Sequence, residues 1–170
     1  DTRNNVFWFE YYSSGNNSNP VYIISDEPYR NIVYDKIEIP SILKLYNNSI
    51  VVNSYSKELS LPGERIGYAL INPACQGAAE LFSGMVLCNR ILGFVNATAF
   101  MQRIISDLTD ETVKVEIYKR RRDIFFENLK ILGYRLHKPE GAFYLFVEVP
   151  KGKGTDIDFV NELLKHNILA

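Results

Sequence analysis

Three apolar runs stand out in the first half of the chain: VYIIS at 21 to 25, IVVNSY at 50 to 55 and RIGYALI at 65 to 71. Their apolar residues are adjacent rather than alternating, which predicts strands covered on both faces, as in a parallel sheet. The earlier stretch VFWFEYY, residues 6 to 12, has strand-favouring side chains but is too short for periodicity to separate strand from helix. It is followed by SSGNNSNP at 13 to 20, a loop by its Gly, Asn, Ser and Pro. Residues 76 to 92 and about 95 to 108 follow a helical spacing. Thr109 is the expected cap of a longer helix whose face carries Val113, Ile117, Ile124, Phe125 and Leu129 and which ends at Gly133. YRLH and AFYLFVEV then predict two strands, TDIDFVNELLKH a helix capped by Thr155, and the final NILA the start of another strand. The first block has the composition of an α/β unit and the second that of an α+β unit, so a boundary is expected inside the long helix, dividing the chain into 1–120 and 121–170.

Composition narrows the class without naming a function. Hydrophobic residues make up 46% and charged residues 23%, values of a globular chain that can fill a core, which removes disorder from consideration. No apolar stretch approaches the roughly 20 residues of a membrane-spanning helix, and the opening DTRNN lacks a signal-peptide layout, so a cytoplasmic protein without a membrane role is expected. A net charge of -1 provides no field for nucleic acid. The one basic cluster, Lys119 to Arg122, is followed by Asp123 and reads as a solvated helix face, with nucleic-acid contact as the lesser alternative. Cys75 and Cys88 have no histidine close by, so ordinary reduced thiols are expected and no metal site. His137 and His166 sit outside any motif and are expected to be structural or exposed.

Candidate chemistry lies at the strand ends. Open α/β sheets bind ligands beyond the carboxyl ends of their strands, where Asp26, Tyr29, Ser54, Ser56 and Lys57 fall, with Arg65 opening the next strand. Taken singly, each has a plainer explanation: an acid pair after a strand caps a turn, a loop lysine is solvated, an arginine decorates a surface. The ordered set decides otherwise. DEPYR at 26 to 30, SYSK at 54 to 57, PGERIGY at 62 to 68 and PEGAFYLFVEV at 139 to 149 resemble the class I/II aminotransferases among fold-type I pyridoxal-phosphate enzymes, relatives of aspartate and aromatic aminotransferases. The 31 positions from Asp26 to Lys57 and the 8 from Lys57 to Arg65 match that family's spacing, and the resemblance runs from about residue 20 to the end.

The resemblance implies a fold, a cofactor and roles. The fold would be the C-terminal part of the large α/β domain, mainly parallel sheet with helices, then most of the α+β small domain. The cofactor would be pyridoxal 5'-phosphate. Lys57 matches the Schiff-base lysine, an amine able to attack an aldehyde and later to shuttle a proton. Asp26 matches the carboxylate that keeps the ring nitrogen protonated, and a cation there would offset the cost of an acid at a buried strand end. Tyr29 matches the hydroxyl that bonds the phenolic oxygen, while Ser54, Ser56 and Arg65 match phosphate ligands, Ser54 the better of the serines. Glu27 is assigned a structural or supporting role. The aromatics from Phe143 to Phe146 are read as a strand's core face, and Asn96 in FVNA as a residue that could approach a partner subunit's cofactor.

By the same resemblance the reaction would move an amino group from an amino acid to a 2-oxo acid, in a homodimer. Two rival readings are a pyridoxal-phosphate lyase or decarboxylase on the same fold, and a non-catalytic dimerising remnant. Relatives carry an upstream Asn-Pro-x-Gly segment, a ring-stacking aromatic and a phosphate-binding helix start, and downstream an arginine for the substrate carboxylate. None of these is matched, so a fragment with little or no activity alone is expected.

Overall fold

The computed structural model describes residues 21–35 and 37–170; the VFWFEYY stretch and the SSGNNSNP loop lie outside the described residues. Three strands, β1 (Ile23–Asp26), β2 (Ser49–Ser54) and β3 (Gly67–Ile71), form one sheet in that order. The helical elements are α1 (Ile42–Leu45), α2 (Tyr55–Glu58), a 3₁₀ turn (Pro62–Glu64), α3 (Ala78–Ile91), α4 (Ala99–Ser106), α5 (Val115–Ile131) and α6 (Asp156–Lys165), of which α1 packs against β2.

The expectation of three parallel strands holds for one pair. β1 and β2 are parallel, with Ile23 opposite Ser49 and Asp26 opposite Val52. β3 is antiparallel to β2, with Ser54 opposite Gly67 and Ile50 opposite Ile71. The connection between them holds one helical turn and a 3₁₀ turn, too little chain to cross back and restart in the same direction. Burial on both faces is likewise confined to the central strand: Ser49, Ile50, Val51 and Asn53 are buried, whereas β1 and β3 alternate or lie open. The tight pairing of β2 with β3 requires glycine at position 67, because a Cβ there would lie 2.4 Å from the Asn53 carbonyl oxygen.

Several helix boundaries follow from identifiable groups. Thr98 Oγ1 accepts from the Met101 N–H and starts α4, whose Met101 and Ile105, four apart, face inward. These two pack with Ile66 into a buried cluster against Tyr55, Leu59 and Leu61, so α4 supports α2 from below. Each such burial stabilises by about 1.5–3 kcal/mol. Thr155 forms a capping box with Asp158 as expected, and Gly133, at φ +85°, follows the end of α5.

Thr109 does not cap α5. That helix begins at Val115 after Lys114, which makes no side-chain cap bond. The Thr112 hydroxyl and Val113 N–H both donate to the Glu58 carbonyl oxygen, at 3.2 and 2.8 Å, which draws this segment toward α2 and away from a helical path. YRLH and AFYLFVEV are joined only by an isolated Leu136–Val147 bridge, and Gly141 bridges instead to Val33. There the Ala142 N–H donates to the Ile32 carbonyl at 2.8 Å, and Ala142 adopts φ +56°, which interrupts an extended run. NILA starts no strand: the Ile168 N–H donates to the Leu163 carbonyl at 3.1 Å and closes the end of α6.

The basic cluster is not wholly solvated. Arg122 is only 6% exposed, its guanidinium 4.4 Å from the ring centre of Tyr34 and its Nη1 donating to the Pro139 carbonyl at 2.8 Å. Lys119 pairs with Asp35. Cys75 and Cys88 are both free thiols, the first buried and the second exposed.

Candidate active site

Two strand ends and two turns bring all but one of the expected site residues together. β1 stops at Asp26, the Glu27 N–H donates to the Val52 carbonyl at 2.8 Å, and a tight turn follows, closed by Arg30 N–H to the Glu27 carbonyl and Ile32 N–H to the Tyr29 carbonyl. Glu27 has the structural role expected of it: its carboxylate accepts from Ser25 Oγ at 2.9 Å and from Arg30 Nη1 at 2.7 Å. Asp26 is exposed, so the burial cost anticipated for an acid at this strand end does not arise in this structure.

β2 ends at Ser54, the N-cap of α2, whose Oγ accepts from the Ser56 N–H at 3.2 Å; the two serine hydroxyls are 2.7 Å apart. The single turn of α2 then presents Lys57, half-buried, toward the turn after β1. Its Nζ lies 6.0 Å from the ring centre of Tyr29 and 5.6 Å from that of Phe143. Among the described residues no carboxylate pairs with it. An ammonium resting on aromatic faces is steadied without being neutralised.

Tyr29 sits at the centre. Its ring meets Phe143 edge-on at 5.1 Å and Tyr144 edge-on at 5.5 Å, and its hydroxyl is 2.5 Å from the Tyr144 hydroxyl. Burial, then the hydrogen bond and charge of Tyr144 and the charge of Asp26, push the Tyr29 hydroxyl up to about 12. It therefore keeps its proton at neutral pH and remains a donor.

Arg65 lies apart from this group. It is exposed, at φ +51°, and its Nη1 donates to the Pro62 carbonyl at 2.8 Å. The chain just beyond it is nevertheless tied to the site, since the Tyr55 N–H donates to the Ile66 carbonyl at 3.2 Å. The structure thus gathers Asp26, Tyr29, Ser54, Ser56 and Lys57 at one end of the β1–β2 pair and leaves the Arg65 guanidinium on its own turn.

The alternation in AFYLF predicts Phe143 and Tyr144 in the core, yet they are 40% and 50% exposed, and Phe146 is 87% exposed. Two of the three face Lys57 or Tyr29 instead. Their place inside PEGAFYLFVEV, a motif already set beside the lysine motif, was the available signal. They also border a cavity of about 260 Å³ lined by Tyr34, Tyr118 and Arg122 among others. Glu58, which carried no sequence signal beyond following Lys57, is 4% exposed and accepts from Asn31 Nδ2 at 2.7 Å. Burial pushes its carboxyl above the usual range, against the opposing pull of the Asn31 and Asn53 amides. His137 and His166 are both exposed, and no group of three or more potential metal ligands occurs among the described residues.

Comparison with known proteins identifies the family. The family model for aminotransferase class I and II matches residues 15–170. An aspartate aminotransferase of Thermotoga maritima is 32% identical over 153 residues, covering 88% of this chain and 38% of its own length. An LL-diaminopimelate aminotransferase of Gloeobacter violaceus is 30% identical over 149 residues, covering 85% of this chain and 37% of its own length. Among solved structures, an aminotransferase from Eubacterium rectale superposes with a TM-score of 0.82 at 41% identity, over 88% of this chain and 37% of that one. The chain therefore spans somewhat over a third of the length of these relatives, and its mixed α/β architecture is theirs.

Proposed function

Because the chain belongs to the aminotransferase class I and II family, whose members in general depend on pyridoxal 5'-phosphate, we propose that it carries the lysine side of that cofactor's site. The whole protein would transfer an amino group from an amino acid to a 2-oxo acid. The observation that carries the reading is Lys57: an amine without a carboxylate partner among the described residues, set on two aromatic faces at the carboxyl end of the parallel β1–β2 pair.

The donor set suits the cofactor group by group. Lys57 offers an amine for its aldehyde, Asp26 a carboxylate for its ring nitrogen, Tyr29 a protonated hydroxyl for its phenolic oxygen, and the paired Ser54 and Ser56 hydroxyls, with Arg65, donors for its phosphate. When bound, the cofactor would supply an electron sink for the bond changes at the substrate's α-carbon. The chain's own part is to hold and move protons. Asp26 would keep a proton on the ring nitrogen, Tyr29 would donate at the phenolic oxygen, and Lys57 Nζ would serve as the base that takes the Cα proton and returns it. Arg65, exposed on its own turn with one Nη1 bond to the Pro62 carbonyl, keeps further N–H donors for a phosphate. In this reading residues 1–120 belong to the large cofactor-binding domain and 121–170 to the small domain, and the functional unit is a homodimer.

The test is chemical. Incubation with pyridoxal phosphate followed by borohydride should leave a reduced pyridoxyl group on Lys57 in peptide maps, and Lys57→Ala should lose that peptide's label. A label scattered over surface lysines, with Lys57 no richer than the rest, would overturn the reading.

A further inference from the structure

Glu58 directly follows the lysine assigned to the cofactor, and its carboxyl group is among the most thoroughly buried in the described chain. Burying a carboxyl group is unfavourable unless its hydrogen bonds are supplied, so what supplies them defines what it does. Asn31 Nδ2 donates to Oε2 at 2.7 Å. Asn31 ends the turn that begins after Asp26, two positions beyond Tyr29, in a loop closed by the Ile32 N–H on the Tyr29 carbonyl at 2.9 Å. One end of this bond is therefore the immediate neighbour of Lys57, and the other lies within the turn that carries Tyr29. On the main chain, the Glu58 carbonyl accepts from both Val113 N–H and Thr112 Oγ1, at 2.8 and 3.2 Å. Residue 58 is thus held from two sides, by the turn after β1 and by the segment leading into α5. α2 has only four residues and makes few helical bonds of its own, so these outside bonds set where Lys57 departs from the backbone.

We propose that Glu58 is a positioning residue: through Asn31 it clamps α2 to the Asp26–Tyr29 turn and so fixes the spacing between the Lys57 amine and the Tyr29 ring. The inference rests on Lys57 being the cofactor lysine. An isosteric amide can still accept from Asn31 Nδ2, whereas an apolar side chain cannot, and this separates the clamp from a general need for a filled core.

The experiment compares this chain with Glu58→Gln, Glu58→Leu, Asn31→Ala and the Asn31→Ala/Glu58→Leu pair. Each is incubated with pyridoxal phosphate and reduced with borohydride, which delivers hydride to the imine carbon so that amine and aldehyde end as a secondary amine with loss of water. The readout is the ratio of label on Lys57 to label on surface lysines in the same sample, normalised to the folded fraction from urea titration. Glu58→Gln should keep the ratio within about twofold, while Glu58→Leu and Asn31→Ala should each lower it about tenfold, and the pair should do no worse than either alone. A purely structural role would change the folded fraction and leave the normalised ratio where it was. If Glu58→Leu does not fold, Asn31→Ala alone decides. Unchanged ratios in the folded variants, or loss of the ratio in Glu58→Gln, overturn the clamp while leaving Lys57 as the cofactor lysine. No preference for Lys57 in the unaltered chain overturns the cofactor reading and the clamp together.

Discussion

Glu58 also shows how one side chain ties stability to pH. Burial raises its carboxyl pKa in the folded chain, so between the unfolded and folded values the native state binds more protons than the unfolded state. The associated stability is present below the ordinary glutamate range and is lost as pH rises through the raised value. Asp35 and Asp123 behave in the opposite sense. Lys119 holds the Asp35 carboxyl down and Lys138 that of Asp123, so their contributions are present above the ordinary aspartate range and lost as pH falls through their lowered values. Thermal midpoints measured across pH 4 to 8 should fall more steeply toward neutral pH in the unaltered chain than in Glu58→Gln, which cannot ionise; parallel curves would show that the folded Glu58 carboxyl titrates like an unfolded one. The same residue-level logic explains why Tyr29 can serve as a donor, since burial and Tyr144 both favour its neutral form.

At the scale of elements, the site depends on how closely β3 returns beside β2. Gly67 lies opposite Ser54, and a methyl group there would be 2.4 Å from the Asn53 backbone oxygen, an atom that no rotamer change can move aside. Gly67→Ala should therefore cost roughly 1–3 kcal/mol in urea denaturation and disturb the Ser54–Ser56 pair. Gly63, in the 3₁₀ turn, has open space around its Cβ direction and no positive φ, so Gly63→Ala should be neutral or slightly stabilising. Equal losses from the two would mean that the strand pairing is looser than described. α4 contributes from the other side: its Met101 and Ile105 pack under Tyr55 and Leu59, so α2 has a floor as well as a clamp.

Across the whole molecule, the later part of the chain meets the site directly through Phe143 and Tyr144, and is held beside it by the Val33–Gly141 bridge, the Lys119–Asp35 pair and Arg122 stacked on Tyr34. Arg122→Ala should lower stability by about 2–3 kcal/mol, because its bond to the Pro139 carbonyl and its packing on Tyr34 are lost together. Because Arg122 and Phe143 line the same cavity, the same substitution should also lower the labelling of Lys57; a stable Arg122→Ala variant with full labelling would mean that Phe143 keeps its place without it. Much of this was legible in the chain itself. The capping box at Thr155, the stop at Gly133 and the family motifs all depend on residues a few positions apart or on their linear order, which a sequence records directly. Only the folded chain decided that β3 runs antiparallel, that Arg122 and Glu58 are buried, and that Phe143 and Tyr144 leave the core to meet Lys57 and Tyr29. Those outcomes depend on which distant surfaces pack together: the two hydroxyls of Tyr29 and Tyr144 meet across 115 positions of chain, and no local period or propensity encodes such an encounter.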